Sequence, residues 1–290
     1  MAGMSDDDRD SPPTALPGRE RPGGSDDEPL RPAARVTPGL LRTIEGEIIP
    51  RLMLAHAIDP AGLSPRPSHP RQADIDRLTQ LALGQDPDAA LEFVRALIAD
   101  GLSLEAAYLE LLAPAARGAG GAWEEDRCSF TDVTIGLWRL QAVMHELRGV
   151  GGPPTRSPDE PRKVLLRLTP GEQHGFGLSI VAEFFRRAGW TVHDEISEAG
   201  TEPVDNVRDQ WFDLVGLSLS AERHLDTLAR TIHAIRRVSR NRHIGVLVGG
   251  PLFTQNPDWV ARVGADATAH DALHAVQQGQ AMVGLLAAQH

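Results

Sequence analysis

A helical bundle followed by a doubly wound α/β domain with a five-stranded parallel sheet is the fold class this sequence predicts. Residues 72–147 carry apolar residues at helical spacing with short interruptions. From residue 163 onward, apolar runs alternate with amphipathic stretches, the pattern of strand–helix–strand units. A Pro/Gly-rich stretch at residues 149–162 (GVGGPPTRSPDEPR) separates the two parts as a linker.

The elements follow in chain order. Residues 1–37 hold the acidic runs Asp6-Asp7-Asp8 and Asp26-Asp27-Glu28 among scattered Pro and Gly. They cannot bury enough apolar surface to offset their ordering entropy, and a disordered arm is expected. Within residues 38–70, Leu40, Leu41, Ile44, Ile48, Leu52 and Met53 fall near helical spacing, with a kink or break at Pro50; residues 59–70 (DPAGLSPRPSHP) are a second linker. The bundle, residues 71–148, starts with a helix over residues 73–84. Asp86 as N-cap and Pro87 at the first helical position open a second helix that ends near Asp100-Gly101. Ser103 starts a third, running to about Arg117, where the glycines of residues 118–121 are expected to break the chain. Residues 129–148 form the long fourth helix. Strands are expected at residues 164–169, 191–196, 213–218, 244–249 and 265–269. Five strands between residues 163 and 290 match a flavodoxin-like (Rossmann-like) size.

Composition bounds the function. The chain has 290 residues, 41% of them hydrophobic and 24% charged, which is a globular composition. A formal net charge of −11 argues against broad sequence-independent binding to nucleic acid, which needs clustered cations. One short basic cluster, Arg236, Arg237, Arg240, Arg242 and His243, leaves room for weak or indirect DNA contact; as plain structure it is the solvated end of a helix. Cys128 is the single cysteine, so no intramolecular disulfide forms and a reducing, cytoplasmic setting is expected. No run of about 18 apolar residues suggests a membrane span, and the acidic start is unlike a secretory signal.

Three loops should gather at the carboxyl edge of the sheet, where such folds bind ligands. After the first strand comes Glu172-Gln-His174-Gly-Phe-Gly177. An imidazole there can bind a metal through one ring nitrogen while a carboxylate two residues earlier holds the other. After the third strand, Ser218-Leu219-Ser220 supplies short hydroxyl groups able to bond a buried polar heterocycle. After the fourth, Gly249-Gly250 removes side chains so that a bulky group can lie against backbone. Taken singly, these are a surface histidine, helix-capping serines and a turn. Together and in this order they describe a metal ligand above a slot.

This pattern resembles the cobalamin-binding domains of the methionine synthase and mutase type, whose Asp-x-His-x-x-Gly, Ser-x-Leu and Gly-Gly motifs occupy the same strand ends. The resemblance implies that His174 is the lower ligand to cobalt, replacing the cofactor's own dimethylbenzimidazole, whose tail would enter a slot lined by Gly177, Ser218, Ser220, Gly249 and Gly250. Glu172 stands where Asp is usual, one methylene longer. Ser220 stands where Leu is usual, making the slot more polar. The bundle is similar to the four-helix cap that covers the upper corrin face in cobalamin methyl carriers and photoreceptors, and Trp123 resembles the cap tryptophan near the upper axial group. Photoreceptors of this kind carry Trp-x9-Glu-His; Val133 and Thr134 stand at the last two positions here, so the usual upper histidine is missing. His145, farther along that helix, replaces it only in a different register and otherwise reads as an exposed residue.

Residues 44–56 (IEGEIIPRLMLAH) and 123–136 (WEEDRCSFTDVTIG) are similar to the AerR/PpaA family of antirepressors of bacterial photosynthesis genes. This resemblance implies a cobalamin-binding, light-responsive regulator, not an enzyme, that engages a CrtJ/PpsR-type transcriptional repressor. The same residues leave open a stand-alone corrinoid methyl carrier serving a methyltransferase, and a sensor on the same fold in which His174 ligates heme iron.

Overall fold

The computed structural model describes residues 69–150, 161–194 and 202–287. The arm expected at residues 1–37, the helix expected within residues 39–56, and most of both linkers lie outside the described residues.

Among the described residues four helices precede the sheet: α1 (Gln72–Leu83), α2 (Ala89–Ala99), α3, and α4 (Phe130–Leu147). Helix α3 is continuous through Leu104–Ala106, a π-helical stretch Ala107–Leu112, and Ala113–Glu124. Polar caps fix several starts. The Ser103 hydroxyl accepts the Ala106 N–H, and at α4 Ser129 and Asp132 form a reciprocal capping box.

Two expectations are corrected. Pro87 is not the first residue of α2; the Asp86 carboxylate accepts the N–H of Asp88 at 3.0 Å, making a turn that moves the helix start to Ala89. Nor do the glycines of residues 118–121 break the chain, since α3 runs to Glu124. A Cβ on Gly118 would lie 3.0 Å from Oγ1 of Thr79, so this glycine allows α3 and α1 to approach closely. Ala115, Ala119 and Ala122 are buried along the same helix. That packing outweighs the cost of about 1 kcal/mol for a helical glycine. The π-helical stretch ends just before Pro114, whose missing N–H cannot join a regular ladder.

The five strands are β1 (Lys163–Leu168), β2 (Thr191–Asp194), β3 (Leu214–Ser218), β4 (Gly245–Gly249) and β5 (Ala267–Ala269), all parallel in the order β2-β1-β3-β4-β5. Between them run α5 (Phe176–Arg187), α6 (Pro203–Asp209), a 3-10 turn Glu222–His224, α7 (Leu225–Val238), α8 (Pro251–Gln255) and α9 (Trp259–Val263); α10 (Ala272–Ala287) follows β5. Alternation along the strands feeds two cores. Val164, Leu166, Leu214 and Leu247 face α5 and α10, in an apolar cluster that continues into the helical cap. Leu165, Val215, Val246 and Val248 face the other way, onto α7 through Leu228, Ile232 and Ile235. Each such buried side chain contributes roughly 2 kcal/mol.

The cap is joined to α5 by specific contacts. Tyr108, fully buried in the π-helical stretch, meets Phe184 edge-on at 6.0 Å and donates its hydroxyl to the carbonyl of Met144 at 3.3 Å. Arg148 donates to the buried carboxylate of Glu183 at 3.1 Å. Among the described residues no helix is long and apolar enough to cross a membrane.

Candidate functional site

Parallel pairing puts the ends of four strands in one row: Leu168 beside Ser218, Ser218 beside Gly249, Gly249 beside Ala269. Residues in register point to the same face, and that face is the one covered by α5 and α10. Three of the four are small, so the sheet ends there in a shallow floor.

The loop after β1 carries Glu172 and His174 above this floor. Glu172 is folded back into the protein, with a side chain only 3% exposed, whereas the His174 side chain is 78% exposed. One carboxylate oxygen, Oε1, lies 2.6 Å from Nδ1 of His174 and accepts the backbone N–H groups of Gln173 (2.8 Å) and His174 (3.0 Å). The other, Oε2, accepts the backbone N–H of Ser220 at 2.7 Å and its hydroxyl at 2.6 Å. Burial pushes the Glu172 carboxyl up; the donors from Ser220 and His174 outweigh it and hold the group well below the usual carboxylate range.

An ionised carboxylate only accepts hydrogen bonds, so Nδ1 of His174 is the protonated nitrogen and Nε2 carries the lone pair. The result is an outward-facing imidazole with a fixed tautomer and one donor atom, its ring oriented by the carboxylate behind it. Among the described residues no group of three or more His, Cys, Asp or Glu side chains is placed to hold a metal ion. Nε2 of His174 is a donor that would hold a metal whose other donors come from a macrocycle.

The extra methylene of Glu172 is accommodated, since the carboxylate reaches both His174 and Ser220. Ser220 is tied to the His174 loop. Its hydroxyl is turned to Glu172 and lies 3.0 Å from Nδ1 of His174, because a buried carboxylate draws in every nearby donor. Ser218 ends β3, and its carbonyl accepts both the N–H and the hydroxyl of Thr169. Gly250 has φ +115°, and a Cβ there would lie 2.1 Å from the carbonyl oxygen of Leu219, so the turn after β4 presses against the loop after β3. Gly249 and Gly177 face open space, with nothing within 4 Å of where a Cβ would stand. A long polar group can lie along backbone there, and the arrangement fits a corrinoid's nucleotide tail.

Trp123 stands at the C-terminal end of α3. It is 46% exposed and meets Phe130 edge-on at 6.0 Å. With Phe130, Ile135 and Trp138, it leaves an apolar stripe exposed on the cap. Val133 is buried, and the Thr134 hydroxyl is bonded to the carbonyl of Phe130. His145 is on the exposed face of α4, near Arg148. In the basic cluster, Arg236 is tied to the Gly264 carbonyl and to Asp266, while Arg237, Arg240, Arg242 and His243 are exposed. Sequence reasoning missed the contact of His224 with Gly171 at the foot of the His174 loop; Pro170-Gly171 marks the turn but not the ring that packs on it.

Comparison with known proteins agrees with this geometry. A family model described as B12 binding domain matches residues 162–277, and a second of the same description matches residues 74–148. An uncharacterised 20.5 kDa protein in the bchF–crtJ intergenic region of Rhodobacter capsulatus is 30% identical over 157 residues, covering 54% of this chain and 81% of the relative. A corrinoid protein of Desulfitobacterium hafniense is 24% identical over 212 residues, 72% of this chain and 97% of the relative. Among solved structures, the monomethylamine corrinoid protein of Methanosarcina barkeri superposes with a TM-score of 0.56 at 16% identity, covering 71% of this chain and 97% of that one, which shows the shared fold.

Proposed function

Because this chain belongs to the cobalamin-binding proteins of the AerR/PpaA type, we infer that it is a light-responsive antirepressor that engages a CrtJ/PpsR-type repressor of photosynthesis genes. It binds cobalamin. The observation that carries the ligand assignment is the buried Glu172 carboxylate, which holds Nδ1 of His174 at 2.6 Å and leaves Nε2 outward as lower ligand. Gly177, Ser218, Gly249 and Gly250 line the way for the nucleotide tail, and Glu172 and Ser220 hold the ligand in place.

When bound, an alkylcobalamin supplies a cobalt–carbon bond that light can break. Such a signal needs two protein states with different contacts to the two forms. Trp123, with Phe130, Ile135 and Trp138, gives the cap an apolar surface that responds to the size of an upper group. Tyr108 and Arg148 couple the cap to α5, whose N-terminal turn follows the His174 loop, so a shift of the cap can be felt across the domain. The repressor partner is what the resemblance of residues 44–56 and 123–136 to the AerR/PpaA antirepressors implies. The exposed part of the Arg236–Arg242 cluster is read as allowing weak DNA contact beside that partner.

The experiment is the visible spectrum of the protein loaded with adenosylcobalamin or hydroxocobalamin, before and after illumination, for wild type and His174→Ala. A spectrum altered by the substitution and by light is expected; failure to retain cobalamin sinks the reading. Pull-down with the repressor in dark and light tests the partner, and no capture in either condition removes it. A second reading, a corrinoid methyl carrier, is favoured by the Desulfitobacterium relative matched over 97% of its length. Methyl transfer from the loaded protein through a partner methyltransferase would establish that reading instead.

A further inference from the structure

The loop that presents His174 is gripped at two points by the loop after β3. The first grip is the pair of hydrogen bonds from Ser220 to Glu172. The second is at Gly171, which has φ +91°, a conformation that side chains rarely adopt. The place a Cβ would take is filled by the ring of His224: Cε1 would be 2.8 Å away, Nδ1 3.1 Å and Nε2 3.4 Å. All three of these ring atoms are near, so the imidazole lies against the backbone of Gly171, and glycine is required there twice over.

His224 is itself held. Its Nε2 accepts from Nε of Arg223 at 3.0 Å, and its N–H donates to the Ala221 carbonyl at 3.1 Å. It is also the residue from which α7 starts, and α7 is rooted in the core by Leu225, Leu228, Ile232 and Ile235. The ring thus stands on a rooted backbone and meets the His174 loop at Gly171, three residues before the ligand.

We propose that His224 is a positioning residue for the cobalt ligand: its ring, packed on Gly171, sets the height and direction from which His174 presents Nε2. This rests on His174 being the lower ligand. A ligand held by Ser220 alone would keep its hydrogen bond to Glu172 but pivot about it. Two separated contacts remove the pivot, which is how a supporting shell turns a bound group into an aimed one.

The test uses the full chain loaded with methylcobalamin, whose visible spectrum distinguishes histidine-ligated cobalt from cobalt with no lower base. His224→Ala is expected to keep the fold and still bind cobalamin, with the histidine-ligated fraction reduced and His174 ligation weakened about tenfold. His224→Phe, which restores a flat ring against Gly171, should recover the wild-type spectrum. Gly171→Ala, with His224 left in place, should reproduce the defect. A wild-type spectrum and cobalamin affinity in folded His224→Ala, together with an altered spectrum in His174→Ala, would overturn the positioning role and leave the ligand assignment intact. An unaltered spectrum in His174→Ala would overturn both. A defect that His224→Phe does not rescue, or an unaffected Gly171→Ala, would also overturn it, because packing on Gly171 is then not what positions the ligand.

Discussion

Glu172 is hidden and His174 is open, although Oε1 of one and Nδ1 of the other are 2.6 Å apart. The protein shelters the charge and exposes the base that the charge supports.

Replacing the carboxylate tests that division directly. Glu172→Gln keeps the shape but puts an amide among groups that are all donors, so one of its own N–H groups faces another N–H or O–H. His174 is no longer held in a single tautomer. Cobalamin affinity is expected to fall about tenfold or more, measured by spectrophotometric titration. An unchanged affinity would mean that Glu172 does not act through the ligand.

The same carboxylate gives an acid-side signature. Its folded-state value is depressed, so the stability it contributes is present above its unfolded value, about pH 4.3, and is lost as pH falls from there toward the folded value. Thermal melts between about pH 6 and pH 3 should show a steeper loss of Tm in wild type than in Glu172→Gln. Parallel curves would contradict the depressed value.

Gly250→Ala should destabilise the chain through backbone geometry alone. The added Cβ would lie 2.1 Å from the Leu219 carbonyl oxygen at φ +115°. A loss of about 2 kcal/mol or more is expected in urea unfolding. Gly249→Ala, which meets nothing within 4 Å, should leave stability nearly unchanged and weaken cobalamin binding.

The chain has one tyrosine, and it is the buried link between cap and sheet domain. Burial, and after it the Glu183 carboxylate, pushes the Tyr108 hydroxyl up to about 12. Because the folded-state value lies above the unfolded one, the neutral ring contributes stability below about pH 10 that is lost as pH rises toward 12. Ultraviolet absorbance should therefore show almost no tyrosinate at about pH 10.5 in the folded protein, and about three-quarters of the full signal in urea. Tyrosinate at that pH in the folded state would place Tyr108 in water.

Much of this was legible in the sequence, for reasons of period. All five strands and the four cap helices follow from apolar spacing, and the Gly-flanked His174 could be placed at a strand end from its neighbours alone. The misreadings concern what spacing does not encode. The glycines of residues 118–121 look like a breaker, but at Gly118 the missing side chain is what α1 requires for close approach. Ser220 could be placed at a strand end, but the bond from its hydroxyl to a carboxylate 48 residues earlier is not written in any local pattern. His224 has no local pattern at all, and its contact with Gly171 exists only once two loops are brought side by side.

The bond between Glu172 and Ser220 spans 48 residues, and this orders events during synthesis. A ribosome that has released the chain only as far as β2 has produced His174 without the donors that anchor its carboxylate. The imidazole of His174 gains its full backing only when β3 pairs with β1 and Ser220 reaches Glu172, so on the proposed ligation cofactor capture follows completion of the sheet's centre. Loaded protein is by that fact protein whose middle strands have already found each other.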